Sequence, residues 1–211
     1  MDEGPEDGRA ARSRATRARI AAAAARLFVE NGYASTSIAT IATEAGVATQ
    51  TVYNAFANKP AILSASLDLA IAGDDAPVAT LERDWVRDAL AAPDAIEQVR
   101  RQVDGAAEIL ARVSPLLEVV RGAAPTDPDL AAAWRANIEQ RRTVQSVFVD
   151  ALAGRGALRP GLTVDDATDV TLALLSPETY TLLTVERGWS PDRWQAWARD
   201  ALLRQLTDLG N

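Results

Sequence analysis

Apolar positions recur along this chain at spacings of three and four residues almost from end to end, and no run of β-branched residues alternates with polar ones. Ile20, Ala24, Leu27 and Phe28 fall at i, i+4, i+7 and i+8, one face of a first helix that ends near Asn31-Gly32, where glycine suits a left-handed cap. Ser35 and Thr36 stand where they can cap a short helix over roughly 37–45, which Gly46 breaks, and a third helix follows over roughly 48–56. Pro60 opens a fourth helix that runs to about Ala72, before Gly73-Asp74-Asp75. Longer helices are predicted at roughly 79–91, 94–121 with a kink at Ser114-Pro115, 128–153, 164–186 and 191–209. Asp127-Pro128 and Ser190-Pro191 each put a capping side chain before a proline at the first helical position. The segment from Gly154 to Gly161 is a loop whose G-x-G follows no strand, so it is not read as a phosphate loop. The expected fold is all-α.

Composition narrows the chemistry. The 211 residues contain neither cysteine nor histidine. That excludes disulfides, thiolate and imidazole metal sites, Ser-His-Asp and Cys-His nucleophiles, and histidine pH switches. No catalytic residue, cofactor or metal ligand is assigned. No segment has the pattern of a targeting signal or the roughly 20 apolar residues of a membrane span, so a cytoplasmic protein with no membrane partner is expected.

The formal net charge of -7 conceals an uneven distribution. Residues 1–7 hold four acids, Asp2, Glu3, Glu6 and Asp7. Residues 8–60 hold seven bases against two acids, while residues 61–211 hold 15 bases against 23 acids. Only the first part of the chain is suited to approach a polyanion. Read blandly, the arginines from Arg9 to Arg19 are a solvated tail.

Residues 37–56 read SIATIATEAGVATQTVYNAF. Ile38, Ile41 and Ala42 form the inner face of a short helix, Ala45-Gly46-Val47 a tight turn, and Val52, Tyr53 and Phe56 the anchors of a second helix. This is the helix-turn-helix pattern, whose second helix enters the DNA major groove. An ordinary helical hairpin would show the same periodicity. The second helix, however, carries Thr49-Gln50-Thr51 and Asn54 and no acid, as a surface facing phosphates and base edges requires.

On these residues the chain resembles a known family. Arg19-Ile20, Leu27-Phe28, Gly32-Tyr33, Thr36-Ser37, Ile41-Ala42, Ala45-Gly46-Val47, Thr51-Val52-Tyr53, Phe56, Asn58-Lys59 and Ile62-Leu63 match, in order and without gaps over residues 17–63, the DNA-binding domain of the TetR (tetracycline repressor) family of bacterial regulators. Two positions depart from it. Ala48 stands where serine often caps the recognition helix, with Thr49 as a substitute cap, and Pro60 stands where an acid is usual.

The resemblance implies a flexible acidic and basic arm over 1–15, a three-helix helix-turn-helix DNA-binding domain over 16–60, and a larger helical ligand-binding and dimerisation domain over 61–211. It implies a homodimer that represses a palindromic operator on double-stranded DNA until a small-molecule effector releases it. Thr36, Ser37, Thr51 and Tyr53 are then hydroxyl donors to phosphates, and Lys59 a point charge on the backbone. Thr49, Gln50 and Asn54 are candidates for base edges, since an amide pairs bidentately with adenine. Arg14 and Arg17, within the run from Arg9 to Arg19, would track phosphates or enter the minor groove. Tyr53 and Phe56 read equally as core, and Lys59 as a solvated cation. The acids of residues 2–7 either compete with DNA for these arginines or form a solubilising tail.

Residues 175–180 and 186–194 resemble the last two helices of many members. Trp194, Trp197, Ala198, Ala201, Leu202 and Leu209 form one stripe there, and the preceding helix is apolar most of the way round. Leu174, Leu182, Trp194, Trp197 and Leu202 are accordingly expected at a two-fold four-helix interface, the alternative being a fully internal pair. On the predicted helix 128–153, Leu130, Trp134, Ile138, Phe148 and Leu152 share a stripe with Asn137, Arg141 and Gln145. Polar groups on an apolar face need partners. Trp85, Trp134, Asn137, Arg141, Gln145 and Phe148 are the candidate effector contacts; internal pairing, pairing with Glu108 or Glu118, or pairing across subunits are the alternatives.

Two other function classes are open to this sequence. Asp165-Asp166 and Asp127 with Asp129 are the acid pairs open to a carboxylate enzyme, but each lies at a helix start, where acids are favoured anyway. A helical interaction or ligand-binding module without sequence-specific DNA binding is the other reading, since Ala48 weakens the recognition helix.

Overall fold

The computed structural model of the chain describes residues 5–74 and 79–208, with the side chains described from residue 8 onward. The acidic side chains of residues 2–7, which either compete with DNA for the arginines or form a tail, and Leu209 of the terminal stripe lie outside what the structure describes. All regular structure among the described residues is helical. Among the described residues are ten α-helices: α1 Pro5–Asn31, α2 Ile38–Glu44, α3 Thr49–Ala55, α4 Lys59–Ala72, α5 Asp84–Leu90, α6 Ala95–Ala123, α7 Pro128–Gly154, α8 Val164–Leu174, α9 Pro177–Thr181 and α10 Pro191–Leu206. None is long and apolar enough to cross a membrane.

The chain divides into two compact units, one of Met1–Pro77 with Pro115–Trp134, the other of Val78–Ser114 with Arg135–Asn211. In the first, α1 packs on α4 and α2, and α2 on α3. Ile20, Ala24, Leu27 and Phe28 are all buried, which is the stripe read from the sequence. The Ser66 hydroxyl lies 2.9 Å from both the Ala21 and Ile62 carbonyl oxygens, joining α4 to α1. Gly32 has φ 79°, a left-handed backbone that a side chain resists, and it ends α1 where expected.

In the second unit α10 packs on α8. Its core gathers Val99, Val103 and Leu110 of α6, Val149 and Leu152 of α7, Ala167 of α8, and Trp194, Ala198, Leu202 and Leu206 of α10. The Tyr180 and Trp194 rings meet edge to face at 5.0 Å. A second cluster joins Val86 and Ala89 of α5 to Phe148 of α7, with Trp85 packed against it.

Several boundaries differ from the sequence expectation. The first helix begins at Pro5, so Arg9 to Arg19 ride on a helix instead of a flexible arm; alanine and arginine are both strong helix formers. Ser37, not Ser35 or Thr36, caps α2. The span 79–91 is a 3-10 turn over Thr80–Glu82, then an extended Arg83, then α5. The span 164–186 is broken. Ser176 is extended, because a residue before proline is pushed out of helical geometry, and its side chain caps α9 instead. A π turn over Leu182–Glu186 follows. Pro115 lies within α6, and the starts marked by Asp127-Pro128 and Ser190-Pro191 are as read.

Candidate nucleic-acid interface

The helix-turn-helix is assembled from local signals. Ser37 Oγ accepts the Thr40 N–H at 3.0 Å and starts α2, and Ile41 and Ala42 turn inward. Beyond Ala45 the chain reverses at Gly46, φ 63°. The Val47 N–H donates to the Ala42 carbonyl at 3.0 Å and the Gly46 N–H to that of Thr43 at 3.1 Å, closing the end of α2 before α3 begins. No side chain caps α3: Ala48 holds the cap position, and Thr49 is its first residue, not a substitute cap.

Val52 and Phe56 are buried and hold α3 down, while Thr49, Gln50, Tyr53 and Asn54 lie on its exposed side. Tyr53 is 53% exposed, which resolves the core-or-surface ambiguity of the sequence in favour of the surface. Thr51 is half-buried. Gln50 Nε2 donates to Asn54 Oδ1 at 3.0 Å, so two of the candidate base readers are joined to each other.

The candidate phosphate contacts divide. Ser37 is exposed. Thr36 is buried, and its hydroxyl is directed to the carbonyl oxygens of Leu27 at 3.1 Å and Gly32 at 2.9 Å. The side chain is a strut inside the turn after α1, which corrects its reading as a phosphate donor. Arg14 is exposed on α1. Arg17 is also exposed, but its guanidinium donates to the Ala55 carbonyl at the end of α3 and lies 4.2 Å over the Phe56 ring. Arg26 pairs with Glu44 at 2.7 Å and ties α1 to α2.

Lys59 Nζ donates to the carbonyl oxygens of Tyr33 at 2.8 Å and Thr36 at 3.1 Å. Burial draws its pKa below the ordinary lysine value, against the opposing pull of Asp127. The Tyr33 hydroxyl lies 3.4 Å from Asp127 Oδ2, and burial first, then that carboxylate, push the phenol up to about 12. Asp127 Oδ1 meanwhile accepts the Asp129 N–H at 3.0 Å at the start of α7. The sequence marked Asp127 as a cap, but nothing in it signals a partner 94 positions away.

The candidate effector contacts of the second unit are largely engaged with one another. Arg141 Nε donates to Asn137 Oδ1 at 3.0 Å, and an Arg141 terminal nitrogen lies 3.6 Å from a Glu178 oxygen. Burial lowers the Arg141 pKa while Glu178 raises it. Gln102 Nε2 donates to Gln145 Oε1 at 2.8 Å. Phe148 is buried and stacks on Trp85, ring centroids 5.8 Å apart. Trp85 also lies directly against the bare backbone of Gly105. Trp134 falls in the first unit. Glu118 pairs with Arg121 at 2.5 Å.

Among the expected pairing residues, Trp194 and Leu202 are 0% exposed inside their own unit. They belong to its core and are corrected out of the interface set. Leu174 and Trp197 are half-buried at the edge of that core, and Leu182 is 53% exposed. The acid pairs are helix-start groups: Asp165 pairs with Arg142, and Asp166 bonds to Thr163, the cap of α8. No group of three or more acidic side chains that could hold a metal ion occurs among the described residues.

Comparison with known proteins bears on this arrangement. Residues 20–66 match the family described as bacterial regulatory proteins, tetR family. No curated protein matches the chain. Among solved structures it is similar to a transcriptional regulator FadR from Bacillus subtilis, solved in complex with stearoyl-CoA: 20% identity, TM-score 0.71, covering 89% of this chain and 97% of that one. It is similar to a protein described as a transcriptional regulator from Saccharomonospora viridis, solved in complex with choline, at 21% identity and TM-score 0.69, covering 91% and 97%. A protein described as a TetR-family transcriptional regulator from Rhodococcus sp. gives 16% identity and TM-score 0.70, covering 91% and 98%. At these identities the likeness is one of fold. The chain thus carries, at residues 20–66, the amino-terminal domain of the TetR family, followed by a helical domain with the fold of TetR-family structures.

Proposed function

We propose that this chain is a transcription regulator that pairs as a homodimer, holds a palindromic operator with the exposed side of α3, and releases it when a small molecule binds the helical domain. The observation that carries the reading is the surface of α3. Thr49, Gln50, Tyr53 and Asn54 face outward on a helix anchored by Val52 and Phe56, with no acid between Glu44 and Asp68 to repel a phosphate. Such a surface offers donors and acceptors to base edges in the major groove. Ser37 and Arg14 supply the surrounding phosphate contacts.

In this reading residues 16–60 form the reading head and 61–211 the sensing and pairing domain, and the protein works in the cytoplasm. A second copy of the chain covers Leu182, Val185 and Trp197. The effector contacts Asn137, Arg141 and Gln145 and replaces their internal partners; it represses binding by preferring the state that does not fit the operator. Stearoyl-CoA and choline, the ligands of two structural neighbours, are too unlike to name it.

The test is selection of fragmented genomic DNA by the purified chain at about 0.15 M salt, with sequencing of what is retained and a mass measurement in solution. An enriched palindrome together with the mass of two chains supports the reading. A folded protein that enriches no site is an interaction or ligand-binding module instead.

A further inference from the structure

The pairing of Gln50 with Asn54 divides their labour on the operator. Both stand on the exposed side of α3, one helical turn apart, where side chains at i and i+4 meet. A glutamine amide has two N–H donors and one carbonyl acceptor. One Gln50 N–H is given to Asn54 Oδ1 at 3.0 Å, which leaves the Gln50 carbonyl and its second N–H. One acceptor and one donor are what the adenine N6 amino group and N7 require in the major groove. Asn54 is left in the opposite position. Its oxygen is directed along α3 toward Gln50 and has one of its two lone pairs engaged there, so the acceptor that a bidentate adenine contact needs is already drawn to its neighbour.

We infer that Gln50 reads an adenine in each half-site and that Asn54 is its positioning residue, an inference that rests on the operator binding proposed above. Fixing the Gln50 amide before DNA arrives removes part of the side-chain freedom that binding would otherwise have to remove. No carboxylate on α3 or in the turn before it competes for either amide. The two residues, which look interchangeable by type, therefore govern one base pair and not two.

Selection from a randomised DNA library by the full chain, its Gln50→Ala variant and its Asn54→Ala variant tests this, with circular dichroism confirming that each is folded. The wild type is expected to select an A·T pair at one position of each half-site. Gln50→Ala loses that preference by about 5- to 150-fold, the range of one good bidentate pair. Asn54→Ala weakens the same position by a smaller factor and relaxes no other. Replacing that adenine by 7-deazaadenine, which lacks N7, lowers wild-type affinity and leaves Gln50→Ala unchanged. The inference is overturned if Asn54→Ala relaxes a different position, if Gln50→Ala loses a preference for another base, or if neither changes any position. A wild type that selects no site removes the proposed function, and this inference falls with it.

Discussion

The Lys59 ammonium sits 4.2 Å over the Tyr33 ring and donates to the Tyr33 carbonyl oxygen at 2.8 Å. A second hydrogen bond, to the Thr36 carbonyl at 3.1 Å, fixes it across the turn between α1 and α2. A cation at the start of α4 reads from sequence as a phosphate contact, yet two of its three donors close the fold. Its loss should therefore appear first in stability. Lys59→Met is expected to cost about 2 kcal/mol in urea unfolding, the scale of hydrogen bonds from a charged donor with a ring contact. A drop in the salt dependence of DNA affinity by about 0.9 per copy, with stability unchanged, would restore the phosphate role.

Tyr33 links the same turn to Asp127, and the link titrates. Burial and the Asp127 charge hold the phenol protonated to about 12, against an ordinary value of 10. Between those values the folded chain keeps a proton that the unfolded chain has released, so the contribution is complete below pH 10 and is lost as pH rises through about 12. Tyr33→Phe removes the titration. Its stability should fall less steeply from pH 10 to 12 than that of the wild type, while near pH 7 the two differ little because the hydrogen bond is long. Parallel curves for the two proteins in denaturant unfolding at stepped pH would count against the Tyr33–Asp127 link.

Arg14 and Arg17 are alike in sequence and unlike in place. Arg17 holds the Ala55 carbonyl and covers Phe56, and so secures the far end of α3. Arg14→Ala should lower the salt dependence of operator affinity by about 0.9 per copy and leave sequence discrimination intact. Arg17→Lys keeps the charge but loses the planar fork and the stacking, so it should reduce discrimination between operator and random DNA with little change in salt dependence. Equal behaviour of the two variants would return Arg17 to the phosphate set.

The helix-turn-helix was legible because its signals are local. Gly46 needs a left-handed backbone, and Val52 and Phe56 show a helical period within a few residues, although the cap of α2 is Ser37 and not the Ser35 or Thr36 expected. What stayed hidden depends on distant partners. The stripe on α10 showed that Trp194 and Leu202 are apolar, not that α6, α7 and α8 bury them within one chain. Thr36 carries a surface-type side chain, and only the approach of the Leu27 and Gly32 carbonyls turns it inward. Ser176-Pro177 is different: it repeats the signal read correctly at Ser190-Pro191, and the apolar residues on both sides masked it.

Gly105 stands in the interior of α6, where glycine costs about 1 kcal/mol relative to alanine. The cost has a visible reason, since a Cβ there would overlap the Trp85 indole. Gly105→Ala therefore sets a propensity gain against the displacement of Trp85 from its stack on Phe148. Overpacking of this kind costs about 1–3 kcal/mol, so the displacement should win and the variant should unfold at lower urea with red-shifted tryptophan emission. A more stable variant with unchanged emission would mean that Trp85 moves freely.

The apolar surface of the π turn separates pairing from folding. Leu182 and Val185 are 53% and 68% exposed and Trp197 is half-buried, whereas Trp194 is 0% exposed. If a second copy covers this surface, Leu182→Asp places a charge in the interface without touching the core. The variant should sediment as a monomer, keep its helical spectrum, and lose operator affinity because one head contacts only half a palindrome. Trp194→Ala should behave in the opposite way. It empties the core opposite Tyr180, costs about 3–5 kcal/mol, and lowers the unfolding midpoint whatever the oligomeric state. Should Leu182→Asp remain dimeric at low micromolar concentration, the two copies meet elsewhere and the exposed π turn serves another contact.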